Sequence, residues 1–196
     1  DTKADGHRGH PGLTAASESR QHPALMSLKD TLRAGITSRD RVGQQVIYRL
    51  LRDSDDLDAL TELLHAAYAP LAAAGMRFVA SHQDAETTRR RVSAGDSIAA
   101  VVGGEVVGTI TLASFDRTSG SAFYDRADVM SVGQFAVQPS LGQRGIGSML
   151  LDLAEQLARE HGAAFVGLDT SEHAAHLISF YEARVTDSYS TTAGLR

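Results

Sequence analysis

The stretch Val137-Gln138-Pro139-Ser140-Leu141-Gly142-Gln143-Arg144-Gly145-Ile146-Gly147-Ser148 constrains the fold more than any other part of this 196-residue chain. Before it, Val129 to Val137 is rich in β-branched and aromatic residues and closes at Pro139, which cannot continue a ladder, so a strand is predicted there. After it, Ile146, Met149, Leu150, Leu153, Leu157 and Ala158 recur at three- and four-residue steps, and His161-Gly162 supplies a stop. A strand that feeds a glycine-rich turn and opens a helix aims free backbone N–H groups and the positive helix end at one point. That point is an anion seat suited to phosphate. Gly145 and Gly147 let phosphates approach the main chain, and Arg144 adds a cation that can reach them.

Three ligands compete for such a seat. A nucleotide triphosphate loop needs Lys-Ser or Lys-Thr after its last glycine, and the chain has Ile146-Gly147-Ser148 instead. A dinucleotide loop needs three glycines at a spacing that Gly142, Gly145 and Gly147 do not have, although Asp169 stands at the end of a later strand. Read in isolation, the cluster is also compatible with no more than a tight turn.

The flanking residues decide among these readings. Val137-Gln138-Pro139 followed by Gly142-Gln143-Arg144-Gly145-Ile146-Gly147 resembles the central motif of the GNAT superfamily of N-acetyltransferases, with Gly142 standing where that family usually has Gln or Arg. Leu168-Asp169-Thr170 through Phe180-Tyr181-Glu182 resembles the family's late strand and the helix that ends in Phe-Tyr-Glu. The resemblance spans roughly residues 45 to 183. It implies an α/β, GNAT-like three-layer fold with a mixed, mostly antiparallel central sheet flanked by helices. It implies acetyl-CoA as cosubstrate, with its pyrophosphate on Gly142, Gln143, Arg144, Gly145, Ile146, Gly147 and Ser148. Backbone groups of Phe135, Ala136 and Val137 would hold the pantetheine arm, and Tyr181 would protonate the departing thiolate. A phenol near ~10 and an alkyl thiolate of comparable basicity make that transfer nearly balanced.

The reaction implied is direct acetyl transfer to a primary amine of a small molecule or peptide. The amine attacks only when neutral, so a base is needed. Family members often carry a glutamate near the position of Ser131, and serine is a poor base. Asp169 is the leading candidate; Asp128, Glu172, His173, or a water relayed through Ser131 or Gln134, are the others. The serine, and a C-terminal stretch too short for the family's last two strands, keep a noncatalytic acyl-CoA-binding sensor open as the alternative. Binding of NADH in place of acetyl-CoA would point to a dehydrogenase. The last strand is expected from a further segment of chain or from a partner, a homodimer included.

Periodicity gives the order of elements without the resemblance. Gln45 to Leu51 reads as a strand, Asp53 to Asp56 as helix caps before Leu57, Leu60, Leu63, Leu64 and Ala67, and Pro70 as an interruption of that pattern. A charged, mostly solvated helix is predicted over 81–92, and a hairpin from Ser97–Val102 and Glu105–Ala113 around Gly103-Gly104. Gly133, inside the next strand, marks a bulge or a close backbone approach. A short strand over 163–168 follows the phosphate-loop helix. One domain is therefore expected over 45–196, preceded by a polar leader over 1–44.

Composition narrows the setting. Without cysteine there is no disulfide framework and no thiol nucleophile, which suits the cytoplasm. No run approaches the ~20 apolar residues that span a bilayer, and no signal peptide is visible, so no membrane partner is expected. A formal charge of −5 disfavours nucleic acid and mildly favours a cationic amine. His173 and His176 share one helical face, but without cysteine or a convergent acidic cluster no metal is expected.

Overall fold

The computed structural model of the protein describes residues 26–114, 122–170 and 174–182. Its elements run α1 (Leu28–Ala34), β1 (Ile36–Arg39), β2 (Gln45–Leu50), α2 (Leu57–Ala73), α3 (Ala85–Val92), β3 (Gly95–Val102), β4 (Glu105–Ala113), β5 (Val129–Val137), α4 (Ile146–Glu160), β6 (Phe165–Leu168) and α5 (Ala175–Glu182). The six strands form one sheet in sequence order. Every pairing is antiparallel except β5 with β6, where α4 provides the crossover that a parallel pair requires. This is the mixed, mostly antiparallel sheet flanked by helices that the sequence implies.

The strands alternate as a sheet covered on both faces must. Ile98, Ala100, Ile110 and Leu112 join Leu150, Leu153 and Leu157 of α4 in the main apolar core, which also takes in Leu32 of α1. Among the intervening positions Ser97, Thr109 and Thr111 carry buried hydroxyls. Ser97 donates to the Val92 carbonyl at the end of α3 (2.8 Å), and its hydroxyl lies 2.7 Å from that of Thr111. Two faces of one sheet therefore differ: oily under α4, polar under α3.

Two elements lie inside the stretch read as a leader. β1 pairs with β2 from Ile36↔Tyr48 to Arg39↔Gln45, and α1 is held at its start by Glu160, whose carboxylate accepts from the Leu28 N–H at 2.8 and 2.9 Å. At seven and four residues, neither is long enough for periodicity to register. Pro70 does not end α2. It removes only its own donor, within the last turn, and the buried Leu71 carries the helix on to Ala73. The charged helix begins at Ala85, where the Asp84 carboxylate accepts from the Thr87 N–H, while 79–81 forms a separate 3-10 turn. Its charged residues Glu86, Arg89 and Arg90 are exposed, with His82 and Asp84 ahead of it, as predicted, while Thr88 and Val92 are buried on its inner face. Gly103 and Gly104, both with positive φ, make the predicted two-residue hairpin turn.

The bulge falls beside the glycine that announced it. Thr109 pairs with Ala136 and Thr111 with Gly133, so Gln134 and Phe135 together oppose Ile110, and Gln134, not Gly133, takes the left-handed φ of 48°. β6 pairs only with Val129 to Val132. From Gly133 onward, β5 keeps β4 on one side and has no strand on the other among the described residues.

The turn from β2 into α2 is tied by a bidentate ion pair, Arg49 Nη1 and Nη2 to Asp55 at 2.7 and 2.6 Å, with both side chains buried. Burial alone would raise the Asp55 carboxyl, but Arg49 and the Arg52 N–H hold it below the ordinary carboxylate value. Among the described residues no helix is long and apolar enough to cross a membrane. Arg49→Met, which leaves Asp55 buried without its cation, is expected to lower the unfolding free energy by about 3 kcal/mol in urea titrations at neutral pH. The loss should shrink as pH falls below the unfolded carboxylate value near ~4, because the stability that a depressed carboxyl contributes is present above that value and lost beneath it.

Candidate functional site

β5 leaves the sheet at Val137, the Gln138 N–H donates to the Val107 carbonyl (2.8 Å), and a 3-10 turn over Pro139–Leu141 leads into the loop. Gln143 (φ 61°) and Gly145 (φ 88°) turn the chain back on itself, and Gly145 caps α4 without any side-chain hydrogen bond. Gly145 therefore offers the first turn no side-chain acceptor of the kind that ordinarily caps a helix. Gly145, Ile146, Gly147 and Ser148 line one end of a cavity of about 790 Å³. Phe135, Ala136 and Val137 line its length, and Tyr181 closes onto it from α5. Gly142 and Gln143 complete the loop end. All but one of the residues predicted to bind the cosubstrate thus meet in one place.

The exception is the Arg144 side chain. It turns onto the β1–β2 turn, with Nη1 donating to Gln44 Oε1 (3.2 Å) and standing 3.7 Å from the fully buried Asp40 Oδ2, and Arg144 is not part of the cavity lining. Asp40 draws it there because its other oxygen is already taken by the Val42 and Gln44 N–H groups. The cation at the loop end of the cavity is Arg41. Its N–H donates to the Arg144 carbonyl (3.0 Å), its Nη1 to the Gln143 carbonyl (3.3 Å), and its Nε lies 3.5 Å from where a Cβ on Gly145 would stand. The residues fit a phosphate-bearing ligand: uncapped helix donors, a left-handed glycine with no side chain to fill the cradle, and a guanidinium beside it. Sequence reasoning missed Arg41 because it lies ahead of the expected domain. Its signal was Asp40-Arg41-Val42-Gly43, a turn-like tetrad between two short strand-like runs.

Tyr181 packs against Phe180 and Phe135, with ring centroids 5.3 and 6.4 Å away. Burial, and then the neighbouring Tyr68 phenol, push its phenol well above the ordinary value. It therefore holds its proton throughout the physiological range. Tyr68, whose phenol is also raised by burial, donates to the Phe135 carbonyl (3.1 Å), so one of the backbone acceptors at the bulge is already engaged.

Asp169 lies elsewhere, in a second cavity of about 290 Å³ lined also by Arg91, Thr111, Tyr124, Ser131 and Gln134. It is exposed, and its Oδ1 accepts from Tyr124 Oη at 2.7 Å. Burial, and then that bond to Asp169, push the Tyr124 phenol up. Tyr124 reaches there because Gly167 has no side chain: a Cβ would come within 2.5 Å of the Tyr124 ring. The two cavities share β5, residues 131–134 lining the smaller and 135–137 the larger, with the bulge at their junction along the strand. Asp128 is spent on Arg126, at 2.9 and 2.6 Å, a bond that holds its carboxyl low, and it lines neither cavity. Glu172 and His173 lie outside the described residues, as does the C-terminal stretch expected to lack a strand.

The sequence model described as "Acetyltransferase (GNAT) family" matches residues 57–185. Among curated proteins, S-(2-succino)cysteine N-acetyltransferase of Bacillus subtilis (strain 168) is 32% identical over 137 residues, covering 69% of this chain and 80% of that protein. Among solved structures, the GNAT domain of S. lividans PAT aligns with TM-score 0.62 at 20% identity over 85% of this chain and 91% of that one. A GNAT family acetyltransferase from Elizabethkingia anophelis, solved with acetyl-CoA bound, aligns with TM-score 0.52 at 16% identity over 72% and 78%.

The raised phenols carry a measurable consequence. Tyr48 is pushed up to about 12 by burial and then by Asp40, and Tyr68, Tyr124 and Tyr181 shift the same way. A group with a raised folded value contributes stability that is fully present below its unfolded value, near ~10 for a phenol, and is lost as pH rises through the folded one. Unfolding free energy should therefore fall as pH climbs above ~10, and Tyr181→Phe should flatten part of that fall in denaturant titrations.

Proposed function

Because the chain belongs to the acetyltransferase (GNAT) family of acetyl-CoA-dependent acyltransferases, we propose that it transfers acetyl from acetyl-CoA to a primary amine. The observation that carries this reading is the continuity of one cavity from the uncapped start of α4, along the unpaired edge of β5, to Tyr181. The phosphates of the donor lie against the loop from Gly142 to Ser148 and beside Arg41. Its pantetheine arm runs along Phe135, Ala136 and Val137, where β5 has no β6 neighbour. The Bacillus relative, named for a cysteine derivative, favours a small-molecule acceptor over a peptide.

Bound acetyl-CoA supplies an activated thioester carbonyl at the bulge; the chain's residues do the rest. The acceptor enters through the smaller cavity, where the Asp169 carboxylate takes the ammonium proton and leaves the nitrogen lone pair free to attack. A nitrogen–carbon bond forms as the carbon–sulfur bond breaks, and Tyr181 Oη delivers a proton to the sulfur. The raised phenol keeps that proton available at neutral pH. Ser131, in the position where many family members use glutamate, plays no part as a base.

Thiol release from acetyl-CoA across a panel of small amines tests the reading. Tyr181→Phe is expected to lower kcat by about 10²-fold while KM for acetyl-CoA stays near wild type, the pattern of a group that acts only as the bond breaks. Tight coenzyme A binding without thiol release on any amine, and no effect of Tyr181→Phe, would establish the sensor instead. Arg41→Ala should raise KM for acetyl-CoA by about tenfold with kcat retained, as loss of one charge-assisted phosphate contact requires. An unchanged rate in Asp169→Asn would remove the proposed base.

A further inference from the structure

We propose that the smaller cavity binds a free α-amino acid, with Arg91 and Gln134 taking its carboxylate and Asp169 its ammonium group. The proposal rests on the acetyl-transfer reading and goes beyond it by naming the acceptor's charges.

Arg89, Arg90 and Arg91 close α3, and they are not equivalent. Arg89 and Arg90 are exposed and turn back onto Glu86 and Thr87 of their own helix. Arg91 is half-buried and lines the cavity, and among the described residues it has no carboxylate within ion-pair distance. Burial penalises its charge, as its lowered affinity for the proton shows. A cation partly removed from water with no counter-charge is costly, and an anionic ligand offsets that cost.

Gln134 is the second and independent observation. It is 3% exposed, sits at the bulge in a left-handed conformation, and neither its Oε1 nor its Nε2 has a hydrogen-bond partner. A buried amide with both atoms orphaned is rare in a folded chain, and the space next to it is the cavity it lines. Its Nε2 suits a carboxylate, which accepts only. Asp169 supplies the opposite charge from another element, with Tyr124 on one oxygen to orient it. A cation, a neutral amide donor and an anion in one cavity match a zwitterion that carries both charged groups on one carbon.

Size and charge also exclude alternatives. At about 290 Å³, the cavity stands at the small end of ligand sites. A polyamine or aminoglycoside would set cation against Arg91. Arg91 and Asp169 leave the ionised lining neutral overall, which suits a zwitterion.

Ligand-observed NMR on the full chain, with and without coenzyme A, tests this with the standard L-amino acids and S-carboxymethylcysteine, each beside its α-carboxamide. At least one free acid is expected to bind about tenfold tighter than its amide, the worth of one charge-assisted hydrogen bond. Arg91→Met should erase that preference, and Arg91→Lys should keep part of it. Equal binding of acids and amides, no binding of either, or a preference that survives Arg91→Met would overturn the proposal. The wild-type comparison needs no variant to fold. Coenzyme A binding in the larger cavity is read separately: its absence removes the acetyl-transfer reading, whereas acetylation of carboxylate-free amines with undiminished kcat/KM removes only this one.

Discussion

β5 loses its β6 neighbour after Val132, and the bulge at Gln134 begins two residues later. An inserted residue sharpens local twist and ends regular pairing, so the strand swings out of register with what lies beyond it. The consequence is an edge of unpaired backbone inside the molecule, where an edge is ordinarily an aggregation hazard. Here α2 and α5 wall it off, and the space left between them is the large cavity. The small cavity opens on the other side of the same bulge. The two cavities are thus both shaped by one irregularity in one strand.

That irregularity is costly and is tolerated locally. A non-glycine residue at positive φ, and an amide buried with both polar atoms unmatched, each lower stability. The main core under α4 is apolar and extends from Leu32 to Leu157, well beyond the bulge, so it can carry such a defect. Conflict with local rules concentrated at one point is characteristic of a site and not of a packing error.

The loop end of the large cavity depends on a different interaction. Asp40, with its side chain shielded from solvent, captures the Val42 and Gln44 N–H groups and draws Arg144 toward the β1–β2 turn. That leaves Arg41 to face Gly145. One buried carboxylate thereby decides which of two arginines stands at the loop end of the cavity. Sequence spacing cannot register this, because residues 41 and 144 are separated by most of the domain.

How far the chain was legible follows from the range of each force. The strand over 129–137, the hairpin around Gly103-Gly104 and the helix from Ile146 were all readable, because their periodicities and turn residues act over a few positions. The glycine start of α4, without a side-chain cap, was readable for the same reason. β1, too short for periodicity, was not, and neither was the continuation of α2 past Pro70, which rests on the burial of Leu71. The sequence by itself determined the order of elements from β2 onward, the glycine-rich loop that opens α4, and that Tyr181 falls in the last described helix. Only the tertiary structure decided that Arg41 replaces Arg144, that Asp169 and Tyr181 face separate cavities, and that Arg91 turns into the smaller one. Each of those depends on burial and on contacts between distant parts of the chain, and long-range packing leaves no local pattern to read.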